Sequence, residues 1–360
     1  MKGKARQANI ELLRVIAMMM VIILHYIVKG GADISLVENT KVINLLLWAL
    51  KALCIVSVNL YVLISGYFLL ETKWKLERLL QLWLQTMFYS IGVPLICFLF
   101  NAGEVRDWGR YDWLNVLLPI QMEHYWFITA YAVLYLFIPV LSLGVKQMTK
   151  KQHELVIFGL LFLFSVPKSF LPVLISTDRY GYDFGWFLCL FLIAAYIRRY
   201  EIPFFHTKRK SFTLYFAVTA AIWLISIAGG LLSRRGLSLE YMMDMLYCYN
   251  HLLVLVAAIA LFYGFCYVRI PQGYFSQMIC KISSYTLGVY LLHENLAIRT
   301  KWQYWAGIDK VREGFGIFPH MLITVVGVFL LGVIIDFVRE CIFNFAVRKW
   351  KKIVRRKSIN

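Results

Sequence analysis

Ten apolar blocks, each of a length suited to a membrane-spanning helix or nearly so, constrain this chain more than any other feature. They fall at about 10–28, 45–70, 79–100, 124–143, 154–174, 184–198, 211–232, 247–268, 284–299 and 317–339, read against the roughly 20 residues that one crossing requires. In hydrocarbon every backbone polar group must find its partner within the protein, so blocks of this kind fold as helices. The expectation is an all-α polytopic membrane protein, about ten transmembrane helices in one bundle. The block at 45–70 is too long for one straight crossing, so its first turns, with Lys51, are expected along the interface or in a tilted helix. Residues 114–123 are broken by Pro119 and suit a partly embedded loop. Of the 360 residues, 61% are hydrophobic and only 16% charged, which excludes a secreted enzyme, a soluble nucleotide-binding fold and a disordered scaffold.

Thirty-eight Lys and Arg face 20 Asp and Glu, a formal charge of +18 that by itself would suit a nucleic-acid partner. Their placement argues against one. With the N-terminus inside, 24 basic residues fall in cytoplasmic segments and 12 in outer ones, leaving Arg14 and Lys51 within spans. Both termini are therefore expected in the cytoplasm. Residues 1–340 are read as the transmembrane domain and 341–360 as a basic interfacial tail lying on anionic membrane lipids. The first block lacks a small-residue cleavage site and contains Arg14 and His25, so it is read as a helix and not as a signal peptide. The charge balance suits a bacterial cytoplasmic membrane. Cys54, Cys97, Cys189, Cys248, Cys266, Cys280 and Cys341 show no paired spacing and read as free, buried, small hydrophobes.

Ionisable residues inside spans cost several kcal/mol unless they face a protein cavity, so each is a candidate for function. They are Glu11, Arg14 and His25 in the first block, then Glu123 with His124, His251, His293 with Glu294, and Asp336. Arg14 and His25 are eleven residues apart; at 100° per residue they return to one helix face, separated along the axis by roughly 16 Å. An imidazole so placed can take a proton from a hydroxyl and return it, whereas a guanidinium suits the phosphates of an anionic donor. The competing reading has Arg14 snorkelling to the inner surface and His25 resting at the outer interface.

The other candidates stand lower. His293 beside Glu294 orients substrate or assists a base, or is a packed histidine. His124 and Trp126 open the fourth block, where an aromatic belt is the simpler reading. Ser65 with Gly66 offers a hydroxyl or a packing notch, and it lacks the sequence context of a serine nucleophile. His153 and His206 are expected in solvated loops, and His251 and His320 have no evident companions. A metal held by His25, His124 and His293 lacks any close-spaced ligand pair, so no metal is expected.

Four segments together resemble the integral-membrane acyltransferase family three: NIELLRVIAMMMVIILHY with its Arg and His, VNLYVLISGYFLL, HYWFITAYAVLYLFIP and SSYTLGVYLLHEN. They occur in the family's order and span most of the chain. The resemblance implies ten helices and transfer of an acyl group, most often acetyl from acetyl-CoA, to a hydroxyl of a cell-surface glycan or its lipid-linked precursor. It implies that His25 is the essential histidine and Arg14 its partner, with Ser65 and Trp126 at motif positions. The chain looks like a membrane-only member of the family. His25 would act as general base or as transient acyl carrier. The alternatives are a glycan flippase or acyl-donor transporter, for which paired inverted halves are missing, and a membrane glycan polymerase, for which large charged outer loops are missing.

Overall fold

The computed structural model describes residues 6–103, 105–171, 179–200, 202–205 and 207–357, with side chains as far as residue 349. Lys2, Lys4, His206 and the side chains of the basic tail beyond 349 lie outside the described residues. Three quarters of the molecule is helix, and no strand occurs among the described residues. In chain order the helices are α1 (Ala8–Lys29), α2 (Val42–Cys54), α3 (Ser57–Leu69), α4 (Leu76–Leu99), α5 (Arg110–Leu117) and α6 (Trp126–Gln147). They continue as α7 (Lys150–Phe164), α8 (Val166–Phe170), α9 (Phe184–Tyr200), α10 (Lys208–Ser233), α11 (Glu240–Met245) and α12 (Leu252–Cys266). The last four are α13 (Tyr274–Ser283), α14 (Thr286–His293), α15 (Trp302–Trp305) and α16 (Ile317–Lys357).

Six stretches are long and apolar enough to cross a membrane: α1, α2 with α3, α4, α6, α10 and α16. The blocks expected at 154–174, 184–198, 247–268 and 284–299 form shorter helices, α7, α9, α12 and α14, of 15, 17, 15 and 8 residues. Residues 172–174 of the first of these lie outside the described residues. The 45–70 block bends at Ile55–Val56 into α2 and α3, and Lys51 is buried. Residues 341–357 continue α16, whose 41 residues reach about 60 Å, twice the hydrocarbon thickness.

Helix α1 is central. It packs against α2, α3, α12, α13, α14 and α16, and Ile10, Leu13, Ala17, Ile22 and Ile27 on it are fully buried. Neighbouring pairs are α3 with α9, where Gly66 lets the two backbones meet because a Cβ there would strike Ala194 and Phe191 of α9. The outward faces are apolar, as with Leu155, Phe158 and Phe162 on α7 and Leu322, Ile323 and Leu330 on α16, which is the surface lipid requires. The N-terminal end of α1 and the Glu340 level of α16 lie on one side of the bundle: Arg6 Nη1 donates to the Cys280 carbonyl at 2.8 Å, and Lys281 Nζ lies 2.9 Å from Glu340.

His153 is not solvated; it is fully buried in α7, with Nε2 donating to the Leu192 carbonyl at 3.0 Å. Cys341 is exposed, and Cys266 and Cys280 are half-buried, so only Cys54, Cys97, Cys189 and Cys248 are buried cysteines. Asp336 is a buried structural carboxylate, bonded by Arg339, Gln85 and Tyr89. His320 finds companions in the Tyr26 hydroxyl at 2.8 Å and the Ala306 carbonyl.

Candidate active site

One cavity of about 700 Å³ runs along the inner face of α1 and is lined by Arg6 and Arg14 towards one end and by His25 and Lys29 towards the other. The 22 residues of α1 cover about 33 Å, close to the thickness of a hydrocarbon core, so the cavity follows the helix through the depth of the bundle. Arg14 and His25 share it because their eleven-residue spacing puts both on the same stripe of α1. Ser65, Trp126 and Glu294 line it as well. His293 and His124 stand behind its wall, buried.

At the N-terminal end, Glu11 is buried and shared: Arg6 lies 3.4 Å and Arg14 3.6 Å from its carboxylate, and Ser283 Oγ donates to it at 2.7 Å. Two guanidinium groups thus face one carboxylate, which leaves positive charge over at this end for an anionic ligand. Tyr61 Oη donates to the Arg14 carbonyl at 2.9 Å and fixes α3 against α1. Ser65 and Tyr131 both line the cavity, so the Ser65 hydroxyl is part of its wall. Its neighbour Gly66 turns away to meet α9, as a packing notch does.

Eleven residues along α1 from Arg14, the other end holds a network whose proton positions follow from its acceptors. His293 Nδ1 lies 2.6 Å from the Val289 carbonyl, which can only accept, so the proton is on Nδ1 and Nε2 is left as an acceptor. That Nε2 faces His25 Nδ1 at 3.0 Å, and Glu294 Oε1 lies 3.1 Å from the same nitrogen. His25 Nδ1 therefore carries the proton and donates to His293 Nε2, with the Glu294 carboxylate beside it, and the neutral ring keeps its lone pair on Nε2. Lys29, one turn further along α1, is ion-paired to the same Glu294 oxygen. Gln303 Nε2 donates to the His25 carbonyl at 3.1 Å, so the backbone beneath the imidazole is also held.

His124 supports the segment after α14. Its Nε2 accepts from the Leu296 N–H at 2.9 Å, its Nδ1 donates to the Asn115 carbonyl at 3.2 Å, and its ring stacks on Tyr125 at 4.1 Å. Both ring nitrogens are thus occupied within the fold. His251 caps α12, accepting from the Leu253 N–H. His25, His293 and Glu294 each offer one ligand atom within 4.8 Å of the others, a separation a metal ion could bridge. The same atoms are already satisfied by Lys29 and by the hydrogen bond between the rings.

Sequence reasoning overlooked Lys29, Lys51, Arg299, Tyr182 and Tyr249, all of which line the cavity. For Lys29 the signal was available, since four residues after His25 is the same helix face. Lys51 bonds Asp33 at 2.5 Å and sits 3.7 Å over the Trp48 ring, an arrangement that depends on how the 30–41 loop folds back.

The family model described as an acyltransferase domain matches residues 7–337. The chain belongs to the integral-membrane acyltransferase family three. Comparison with curated proteins and with solved structures gave no match. The match covers every residue of the cavity wall named above except Arg6, and it makes this protein a membrane acyltransferase.

Proposed function

We propose that this acyltransferase moves an acetyl group from acetyl-CoA in the cytoplasm to a hydroxyl of a cell-surface polysaccharide, or of its lipid-linked precursor, at the outer side of a bacterial cytoplasmic membrane. The observation that carries the reading is the single cavity joining Arg14 to His25 along α1. In this reading the bundle crosses the membrane about ten times, with the Arg6 end of α1 and the C-terminal end of α16 in the cytoplasm, as the excess of Lys and Arg in those segments suggests.

The phosphates of the donor are held by Arg14 and Arg6, where Glu11 leaves positive charge uncompensated. The thioester then reaches His25 down a path of roughly 16 Å, comparable to the reach of an extended pantetheine arm. His25 Nε2 removes the proton of the acceptor hydroxyl, and the oxygen attacks the thioester carbonyl. As the tetrahedral intermediate collapses, the C–S bond breaks and the thiolate of CoA takes the proton from His25, leaving the ester. Glu294 stabilises the imidazolium formed in between and, with His293, holds its ring by Nδ1. The same geometry also supports His25 Nε2 as a transient acyl carrier.

Purified protein in lipid nanodiscs, given labelled acetyl-CoA and extracted surface glycan, should label the glycan. His25→Ala should abolish labelling while the protein stays folded and inserted. Movement of unmodified glycan across the bilayer without labelling would favour the flippase reading instead.

A further inference from the structure

Proton transfer at His25 leaves part of the cavity without a task, namely the stretch beyond the imidazole. Three cations line it: Lys29, Lys51 and Arg299. Lys29 is paired with Glu294 and Lys51 with Asp33. Arg299 differs. It is half-buried on the cavity wall, and among the described residues its guanidinium has neither a carboxylate at ion-pair distance nor a hydrogen-bond acceptor. An uncompensated cation in a membrane-embedded cavity is costly, and an arriving anion removes that cost.

The placement of Arg299 is built. Gln303, fully buried, donates through Nε2 to the carbonyls of both His25 and Arg299, each at 3.1 Å, so the two backbones are tied to one side chain. The Asn295 carbonyl accepts from the Arg299 N–H at 2.8 Å, in the segment that also carries Glu294. The Arg299 backbone is thereby tied to that of His25, and both side chains line the same cavity.

The same part of the cavity has an aromatic shelf. Trp126 and Tyr249 lie near-parallel, 5.8 Å apart with 22° between planes, and Tyr182 closes the group at 4.5 Å from Trp126 and 4.8 Å from Tyr249. Asn59, fully buried, secures it by donating to the Tyr249 carbonyl at 2.8 Å and accepting from Trp186 Nε1 at 2.9 Å. Flat rings with polar edges suit the C–H faces of a sugar.

We propose that this end of the cavity is a subsite for an anionic sugar, with the ring on the Trp126–Tyr182–Tyr249 shelf and a phosphate or carboxylate group on or next to it bound by Arg299. The proposal rests on the acyl-transfer reading and names the acceptor class within it. The donor's phosphates do not compete for Arg299, because they are bound near Arg14, on the far side of His25. A guanidinium gives two parallel hydrogen bonds to either anion, which a neutral sugar cannot return.

The test measures binding calorimetrically with the purified full-length chain in nanodiscs. The probes are glucose 1-phosphate, methyl glucuronide, methyl glucoside and acetyl-CoA. At least one anionic sugar should bind about tenfold or more tightly than methyl glucoside, and the two anionic arms separate phosphate from carboxylate. Arg299→Gln should reduce that preference by about ten- to a hundredfold, the loss expected for hydrogen bonds to a charged group. Arg299→Lys should retain part of it, and neither variant should alter acetyl-CoA binding. Equal binding of neutral and anionic sugars would overturn the proposal, as would an Arg299→Gln variant that loses acetyl-CoA and anionic sugar alike, since the arginine would then serve the donor. Because binding is read without turnover, failure of acetyl transfer leaves these outcomes distinct.

Discussion

His25 and His293 face each other across the seam between α1 and α14, Nδ1 of the first lying 3.0 Å from Nε2 of the second, with Glu294 reaching the same Nδ1 at 3.1 Å. The pair is directional because His293 is pinned by the Val289 carbonyl one turn below it. A neutral ring held in this way presents Nε2, and no other nitrogen, as its free base.

The two groups that hold His25 should not be equal. Glu294→Gln removes the charge that stabilises the imidazolium, so kcat for acetyl transfer should fall about a hundredfold or more, within the range of general-base effects. His293→Gln keeps an acceptor near Nδ1 and removes only ring placement, which predicts a loss of about tenfold, the size of one hydrogen bond. In both, the KM for acetyl-CoA should hold, because neither residue is near Arg14. Steady-state kinetics on the two variants decides the order; a larger effect for His293→Gln would reverse the assignment of roles.

Arg14→Ala should act on the other side of the ratio. The guanidinium is too far from the acyl carbonyl to take part in bond making, so its removal should raise the KM for acetyl-CoA about ten- to a hundredfold and leave kcat at saturation within a few-fold. Loss of the Arg14 charge also leaves Glu11 with Arg6 and Ser283, which are enough to keep the carboxylate satisfied. A fall in kcat with KM unchanged would remove Arg14 from donor binding.

How much of this was legible in the sequence depends on the range over which each feature is decided. The shared face of Arg14 and His25 is a property of one helix, and eleven residues suffice to read it. Block lengths announced the helices, but not that α7, α9, α12 and α14 would be short, since a helix surrounded by others can stop where packing stops. His124 and His293 looked alike, each a histidine at the edge of an apolar block beside a carboxylate residue. What separates them is the partner: Leu296 N–H and the Asn115 carbonyl use up both nitrogens of His124, whereas His293 spends one on Val289 and turns the other to His25. Those partners lie up to 268 residues away in the chain, beyond any local pattern. Arg299 stands out in no local pattern, because the return of residues 294–299 to α1, through Gln303, is tertiary.

Gly181 gives a test of the shelf that leaves the chemistry untouched. Its φ is +83°, and a Cβ there would run into Tyr249 and the Asn250 backbone, so the turn that delivers Tyr182 to Tyr249 closes only with glycine. Gly181→Val should cost about 1–3 kcal/mol in strain and displace Tyr182. Acceptor KM should rise while hydrolysis of acetyl-CoA in the absence of acceptor continues at the original rate. Unchanged acceptor KM would separate the shelf from sugar binding.

Asp336 supplies the strongest stability prediction. Its carboxylate is completely buried on α16, where Arg339 bonds both oxygens at 2.6 and 3.1 Å and Gln85 and Tyr89 of α4 donate at 2.9 and 3.0 Å. The group therefore joins α4 to α16 and neutralises the half-buried guanidinium of Arg339. Asp336→Ala strands that cation along with two donors, and breaking a buried pair on one side costs about 3–5 kcal/mol. Thermal unfolding in detergent should show a lower midpoint for Asp336→Ala, and Asp336→Leu combined with Arg339→Met should regain much of the loss by removing both charges together. The double variant decides the matter: if it is no more stable than Asp336→Ala, then the stranded guanidinium is not the source of the instability, and the bonds from Gln85 and Tyr89 are.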